Sequence, residues 1–141
     1  MKTLYKAKVT TSGGREGHVK SDDGILDMRV SMPKGMGGKG EKHTNPEQLF
    51  GAGYSACFGS ALQVIAKKHK VDLGDFNVTA TVKIGTLEDG NLQLGVTLDS
   101  YIPGVDVETG EKIVNEAHEI CPYSRATRDN INVTLNLMLD E

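Results

Sequence analysis

The chain has 141 residues, of which 38% are hydrophobic and 25% charged, and its net charge is −3. This length fits one domain spanning residues 1–141, and the acidic balance without a Lys/Arg cluster excludes a general attraction to nucleic acid. We expect no membrane partner, because no apolar run looks long enough to span a bilayer, and a cytoplasmic location, because the first residues lack the apolar stretch of a signal peptide.

The first part of the chain alternates in the manner of short β-strands. The predicted strands, which form an antiparallel meander, cover residues 3–10, 16–20 and 25–31. The following segment, residues 33–42 (PKGMGGKGEK), is glycine-rich and irregular. Its Gly40 is followed by Glu41 instead of the lysine of a phosphate-binding loop, which argues against a nucleotide site.

Residues 44–70 carry the longest helical pattern of the chain. Asn45 can cap this helix and Pro46 can occupy its first turn, where a missing N–H costs nothing. Apolar or small residues cover nearly its whole circumference, which is typical of a helix packed on several sides. Glycines at positions 51, 53 and 59 indicate close approach of another backbone. We therefore predict a long central helix that carries Cys57.

The second half of the chain predicts a hairpin, a second helix and a last strand. The hairpin strands are 76–85 and 91–102. A helix over 110–120 would be capped by Thr109 and stopped by Pro122. A polar stretch, 123–130, then leads to a strand at 131–139. The fold class is therefore α+β, with antiparallel sheets around the central helix.

Two cysteines and two charged residues are the candidates for chemistry. Taken alone, Cys57 on an apolar helix is more often an inert buried thiol, while Cys121 lies beside Pro122 in a polar, partly cationic stretch. Taken alone, Arg15 is a loop cation and Glu47 a charge in the first turn of a helix. Since a reducing compartment disfavours structural disulfides, a pairing of the two cysteines would point to catalysis.

Five segments together resemble one known family. They are Gly13-Gly14-Arg15-x-Gly17, Ser21-Asp22-Asp23-Gly24, Thr44-Asn45-Pro46-Glu47-Gln48-Leu49-Phe50, Gly53-Tyr54-x-Ala56-Cys57-Phe58 and Cys121-Pro122-Tyr123-Ser124-x-Ala126-Thr127-Arg128. In order and spacing they are similar to the organic hydroperoxide resistance proteins, the Ohr branch of the Ohr/OsmC family. The segment Glu41-Lys42-His43 and the residues Arg125 and Asp129 depart from the pattern in loop detail.

The resemblance implies a thiol peroxidase that reduces organic hydroperoxides without a metal or an organic cofactor. Cys57 would be the attacking cysteine, leaving a sulfenic acid that Cys121 captures as a disulfide. Arg15 would lower the pKa of Cys57 and orient the peroxide, and Glu47 would hold Arg15 by paired hydrogen bonds. The family also implies that an external dithiol, a lipoyl group on another protein, reduces the disulfide.

The family further implies an intertwined homodimer with composite sites. Glu47 and Cys57 are ten residues apart, which on one straight helix is about 15 Å, too far for both to touch one guanidinium. Either the glycines break the helix or a second chain contributes, and we favour the second chain. Which chain supplies Arg15 and which supplies Glu47 stays open at this stage.

An apolar entrance for alkyl hydroperoxides could be lined by Leu49, Phe50, Tyr54, Phe58, Met32 and Met36.

Three other functions compete with the peroxidase. A metal-binding protein could use the cysteines with His18, His43, His69 or His118, but no pair has the spacing of a zinc motif. A binding module of the OsmC type would share the fold, although retention of all four candidate residues argues against it. A redox sensor would use the same disulfide only once for each oxidation, and turnover separates it from an enzyme.

Overall fold

The computed structural model describes residues 1–140, and these form two compact units, one at Met1–Leu49 and the other beginning at Phe50. The predicted α+β class is confirmed by two small sheets and one long helix. The assignment of residues 1–141 to a single domain stays a prediction.

The first unit contains the predicted antiparallel meander. Its strands, in the order β1–β2–β3, are β1 (Val9–Ser12), β2 (Gly17–Ser21) and β3 (Asp27–Val30). The prediction of a first strand at 3–10 was wrong, because the strand begins only at Val9. The register explains this: Val9 pairs with Ser21, the last residue of β2, so no β2 residue remains opposite the residues before Val9. A single 3₁₀ turn, Lys34–Met36, interrupts the glycine-rich segment.

The long helix α1 covers Pro46–Lys68 without interruption. Its start agrees with the prediction, since the Asn45 side chain accepts a hydrogen bond of 2.8 Å from the backbone N–H of Gln48. By length and composition α1 could cross a membrane, so the expectation that no apolar run is long enough was wrong. The core helix of a globular unit meets the same criterion, and Phe58 and Leu62 are fully buried in a hydrophobic core.

The second sheet has the order β4–β5–β6. Strands β4 (Asn77–Thr86) and β5 (Leu92–Tyr101) form the predicted antiparallel hairpin. Strand β6 (Val133–Met138), however, runs parallel to β5, so this sheet is mixed and not purely antiparallel as predicted. The helices between β5 and β6 act as a crossover that returns the chain in the same direction.

The segment between β5 and β6 forms two helices where one helix and a polar linker were predicted. Helix α2 covers Val107–Ile120 and is capped by Asp106, whose carboxylate accepts a 2.8 Å hydrogen bond from the N–H of Thr109. The prediction of a Thr109 cap was therefore wrong by three residues. Pro122 starts α3 (Pro122–Thr127), because proline at a first helical position loses no hydrogen bond.

The hydrophobic core of the second unit lies between α1, α2 and the second sheet. Its fully buried members include Tyr54, Phe58, Leu62, Leu98, Ile102, Ile113, Ala117 and Cys121. One glycine of α1 is required by a close contact with a side chain of α3. A Cβ atom at Gly53 would lie 2.6 Å from the Tyr123 hydroxyl, so this glycine makes room for a side chain and not for a backbone as predicted.

Candidate functional site

The two cysteines, distant in sequence, lie next to each other in the second unit. Cys57 sits in the middle of α1, and Cys121 ends α2. Both are free thiols, and the S–H of Cys121 points to the Cys57 sulfur across 3.7 Å. A disulfide requires about 2.05 Å between sulfurs, so closure needs a small approach of the two side chains. Cys57 is half-buried, whereas Cys121 is fully buried behind it.

The surroundings of Cys57 act on its thiol in opposite directions. Burial raises the pKa of Cys57, and the neighbouring Cys121 raises it further. The backbone N–H of Tyr123 donates a hydrogen bond to the sulfur and lowers the pKa. Burial is the largest of these effects, and none of them comes from a cation. Within one chain, these surroundings favour the thiol over the thiolate.

Arg15 and Glu47 form a bidentate ion pair in the first unit. The guanidinium donates two hydrogen bonds, from Nη1 to Oε2 at 2.8 Å and from Nη2 to Oε1 at 2.7 Å. Arg15 lowers the pKa of Glu47, and Glu47 raises that of Arg15, mainly through these hydrogen bonds. The pair forms within one chain, and which chain's pair serves a given Cys57 stays a prediction.

The turn that presents Arg15 depends on glycine. Gly13 and Gly14 have φ values of +78° and +57°, a region that favours glycine. At Gly17, a Cβ atom would lie 1.7 Å from the carbonyl oxygen of Ser12, so no other residue fits there. These glycines turn the chain between β1 and β2 and place Arg15 at its tip.

A cavity of about 440 Å³ lies in the first unit beside this turn. Met32 and Met36 are among the residues that line it, together with Glu16, whose carboxylate accepts a 3.0 Å hydrogen bond from the N–H of Met32. The structure thus brings the two predicted methionines together. Tyr54 and Phe58, predicted at the same entrance, are instead fully buried core residues.

Sequence reasoning missed two features around the cysteines. The Tyr123 N–H that reaches Cys57 follows from Pro122 starting a helix, which exposes the amides of its first turn. A buried hydroxyl cluster next to Cys121 joins Tyr54, Ser124 and Thr127 to His118. Polar residues at helical spacing after a proline are the signal that could have indicated it.

Three of the four candidate histidines each contact one carboxylate, and the fourth, His118, contacts the Ser124 hydroxyl. His18 contacts Asp27, His43 contacts Glu41, and His69 binds Glu116 at 2.6 Å. Among residues 1–140, no group of three His, Cys, Asp or Glu side chains could hold a metal ion.

Comparison with known proteins gives a consistent result. Residues 38–136 match the sequence profile of a family described as OsmC-like protein. The chain is 47% identical to the organic hydroperoxide resistance protein OhrB of Bacillus subtilis, over 95% of this chain and 98% of that protein. It is 45% identical to the organic hydroperoxide resistance protein of Xanthomonas axonopodis pv. citri, with 96% of each chain covered.

A solved structure extends this similarity to the fold. The organic hydroperoxide resistance protein of Elizabethkingia anophelis, crystallised with bound thiocyanate, superposes with a TM-score of 0.93. It is 50% identical in sequence, and the match covers 99% of this chain and all of that one.

Proposed function

This chain belongs to the OsmC-like family, in its organic hydroperoxide resistance branch, and we propose that it is a cysteine-based peroxidase that reduces organic hydroperoxides to alcohols. The observation that carries the proposal is the 3.7 Å separation of the Cys57 and Cys121 sulfurs, one half-buried and the other fully buried. This arrangement suits a substrate-facing thiol with a second thiol behind it.

In the first step, the Cys57 thiolate attacks the terminal oxygen of the hydroperoxide. An S–O bond forms as the O–O bond breaks, and the alkoxide leaves and takes a proton to become the alcohol. Sulfur is oxidised to a sulfenic acid and the peroxide is reduced. Arg15 would stabilise both the thiolate and the departing alkoxide, since a fixed cation is most effective where negative charge develops.

In the second step, Cys121 attacks the sulfenic sulfur of Cys57. The disulfide forms, and the hydroxyl group leaves as water with the proton of Cys121. An external dithiol then reduces the disulfide by two exchange reactions and is itself oxidised to a cyclic disulfide. We propose a lipoyl dithiol in this role, a cytoplasmic setting, and a cycle that needs no metal or organic cofactor.

We further propose that the site is completed in a homodimer, with Arg15 and Glu47 of one chain serving Cys57 of the other. Two observations support this. Glu47 lies in the first turn of α1 and Cys57 ten residues later on the same unbroken helix, about 15 Å along its axis. Burial raises the pKa of Cys57, and none of the influences on it from residues 1–140 comes from a cation, so a thiolate needs a charge from elsewhere.

The exposed N-terminal segment also supports the proposed homodimer. Leu4 and Tyr5 expose 92% and 78% of their surface, and among the described residues those before Val9 belong to no strand. A partner chain would cover such apolar side chains.

The Met32–Met36 cavity beside the Arg15 turn would take the organic tail of the substrate, since methionines adapt to varied apolar shapes.

The test is consumption of cumene hydroperoxide with dihydrolipoamide by the native protein and by Cys57→Ser, Cys121→Ser and Arg15→Ala. We expect many turnovers for the native protein and none for Cys57→Ser. Cys121→Ser should react once and stop as a sulfenic acid or mixed disulfide, and Arg15→Ala should slow the first step. A native protein that consumes one equivalent with every dithiol tried would be a sensor, and one that consumes none a binding module.

The dimer is tested separately by mixing a slowed variant with an inactive one. Arg15→Ala and Cys57→Ser chains, combined and allowed to exchange subunits, should regain up to about a quarter of native activity, because one of the two sites in each mixed dimer is complete. Mixing Cys57→Ser with Cys121→Ser provides the control. An unrestored mixture whose exchange is verified by mass spectrometry would place the whole site in one chain.

A further inference from the structure

A closed chain of hydrogen bonds holds the corner of the fold that carries Cys121. His118 Nδ1 lies 2.8 Å from Ser124 Oγ, and Ser124 Oγ lies 2.9 Å from the Tyr54 hydroxyl. The Tyr54 hydroxyl lies 3.2 Å from Thr127 Oγ1, which lies 3.1 Å from the carbonyl oxygen of Ser124. Tyr54 and Ser124 are fully buried, so each hydroxyl must find its partners within the protein.

One order of donors and acceptors allows all four contacts of this chain to be hydrogen bonds. The Ser124 carbonyl can only accept, so Thr127 Oγ1 donates its single proton there. Thr127 then accepts from the Tyr54 O–H, and Tyr54 accepts from the Ser124 O–H. With its only proton used, Ser124 must accept from His118 Nδ1–H. In the reverse order Thr127 donates to Tyr54, and the Ser124 carbonyl keeps only its hydrogen bond from the Arg128 N–H, so one of the four contacts is no longer a hydrogen bond.

This order predicts the tautomer of His118. In it, the proton of the neutral imidazole lies on Nδ1, and Nε2 keeps its lone pair. Burial and the positive charge of Arg128 both lower the pKa of His118, while Glu119 opposes them, so the neutral form is favoured. The guanidinium of Arg128 donates to the carbonyl oxygen of His118 and secures the last turn of α2 from the other side.

The position of Cys121 makes this arrangement relevant to its chemistry. Cys121 lies between His118 and Ser124 in sequence, at the junction of α2 and α3. Tyr54 lies on α1 one turn before Cys57. The hydrogen-bonded chain therefore ties the residues on both sides of Cys121 to the helix that carries the other thiol.

We propose that Tyr54, through Ser124 and His118, is the positioning residue that holds Cys121 ready to close on Cys57. The inference rests on the proposed disulfide cycle and concerns only its second step. Tyr54 touches neither sulfur through its hydroxyl; it acts by anchoring the α2–α3 corner. Removing the hydroxyl should loosen that corner and lower the effective concentration of one thiol at the other.

The first measurement is the equilibrium of the Cys57–Cys121 disulfide with dithiothreitol, which needs no peroxide. Tyr54→Phe should weaken the disulfide roughly tenfold, because the two thiols of the reduced protein would then spend less time in the geometry that closes the bond. Tyr101→Phe, which removes a phenol outside this cluster, should leave the equilibrium unchanged. Ser124→Ala breaks the same chain at its next member and should reproduce the effect if Tyr54→Phe fails to fold.

The second measurement is single-turnover oxidation, with sulfenic acid and disulfide quantified separately by mass spectrometry. In Tyr54→Phe, sulfenic acid should form at the native rate and then persist, because only closure is slowed. Disulfide that forms at the native rate in both variants would overturn the inference. If hydroperoxide produces neither sulfenic acid nor disulfide in the native protein, the peroxidase proposal fails, and the dithiothreitol equilibrium still decides the role of Tyr54.

The third measurement separates positioning from a general loss of stability. Nitrogen NMR of the imidazole should report the Nδ1–H tautomer of His118 in the native protein. In Tyr54→Phe the Ser124 O–H is released and can turn to His118, so the proton should move to Nε2. An Nε2–H tautomer in the native protein would contradict the bond order derived above.

Discussion

Arg15 and Glu47 face each other through two parallel hydrogen bonds within one chain, although 32 positions separate them in sequence. The pair leaves only 30% of the arginine side chain and 13% of the glutamate side chain exposed. Because Nη1 and Nη2 of the guanidinium are both hydrogen-bonded to Glu47, the orientation of the group and the position of its charge are fixed. This is the property that a peroxide-binding cation requires.

Replacing Arg15 by lysine tests this geometry. Lysine keeps the charge but cannot make two parallel bonds to Glu47, so in a Cys121→Ser background we expect the pKa of Cys57 to rise and peroxide reduction to slow roughly tenfold. The pH profile of Cys57 alkylation and the single-turnover rate give the two readouts. Arg29→Lys, in β3 of the same unit, is the control. If neither the pH profile of Cys57 alkylation nor the single-turnover rate changes, Arg15 does not act on Cys57.

The Arg15–Glu47 pair also predicts a pH dependence of stability. Arg15 holds the pKa of Glu47 below its ordinary value of 4.5. A depressed carboxyl pKa stabilises the fold above 4.5, and this contribution disappears as the pH falls through the folded-state value. Glu47→Gln should therefore lower Tm at pH 7, and the difference from native should shrink below pH 4.5. A difference that is constant across that range would contradict the assignment.

Two glycines of α1 offer a matched comparison of packing. At Gly53, an added methyl group meets Tyr123 at 2.6 Å, and overpacking of this kind costs about 1–3 kcal/mol. At Gly59 the nearest atom, on Phe76, is 3.7 Å away, so Gly59→Ala should gain up to about 1 kcal/mol of helix propensity. Urea unfolding of the two variants should show effects of opposite sign. Stabilisation by both would mean that Tyr123 moves aside freely.

The start of α2 gives a test of the capping residue. Asp106 accepts the N–H of Thr109, and this hydrogen bond lowers the pKa of Asp106. Asp106→Ala should lower Tm by a few degrees, whereas Thr109→Ala should change it little, because a cap acts through its own side chain. Equal losses from both substitutions would support the cap predicted from sequence.

Much of the fold could be predicted because it depends on local patterns. The hairpin strands alternate, and the start of α1 is marked by Asn45 and Pro46, so both were located to within a residue or two. The Thr109 cap failed because several polar residues precede α2, and only the backbone shows which one reaches the free N–H. The parallel pairing of β6 with β5 could not be predicted from the sequence either, since the direction of β6 depends on the path of the crossover through α2 and α3.

The candidate site, like the fold, could be predicted from the sequence only in part. The sequence by itself determined the candidate residues, because Arg15, Glu47, Cys57 and Cys121 lie in motifs whose order and spacing resemble those of the family. Only the tertiary structure decided that Arg15 and Glu47 pair within one chain, that Cys121 lies buried behind Cys57, and that Tyr54 is bonded to Ser124. The physical reason is that hydrogen bonds and burial depend on distances between atoms far apart in sequence, which packing sets and local patterns do not contain.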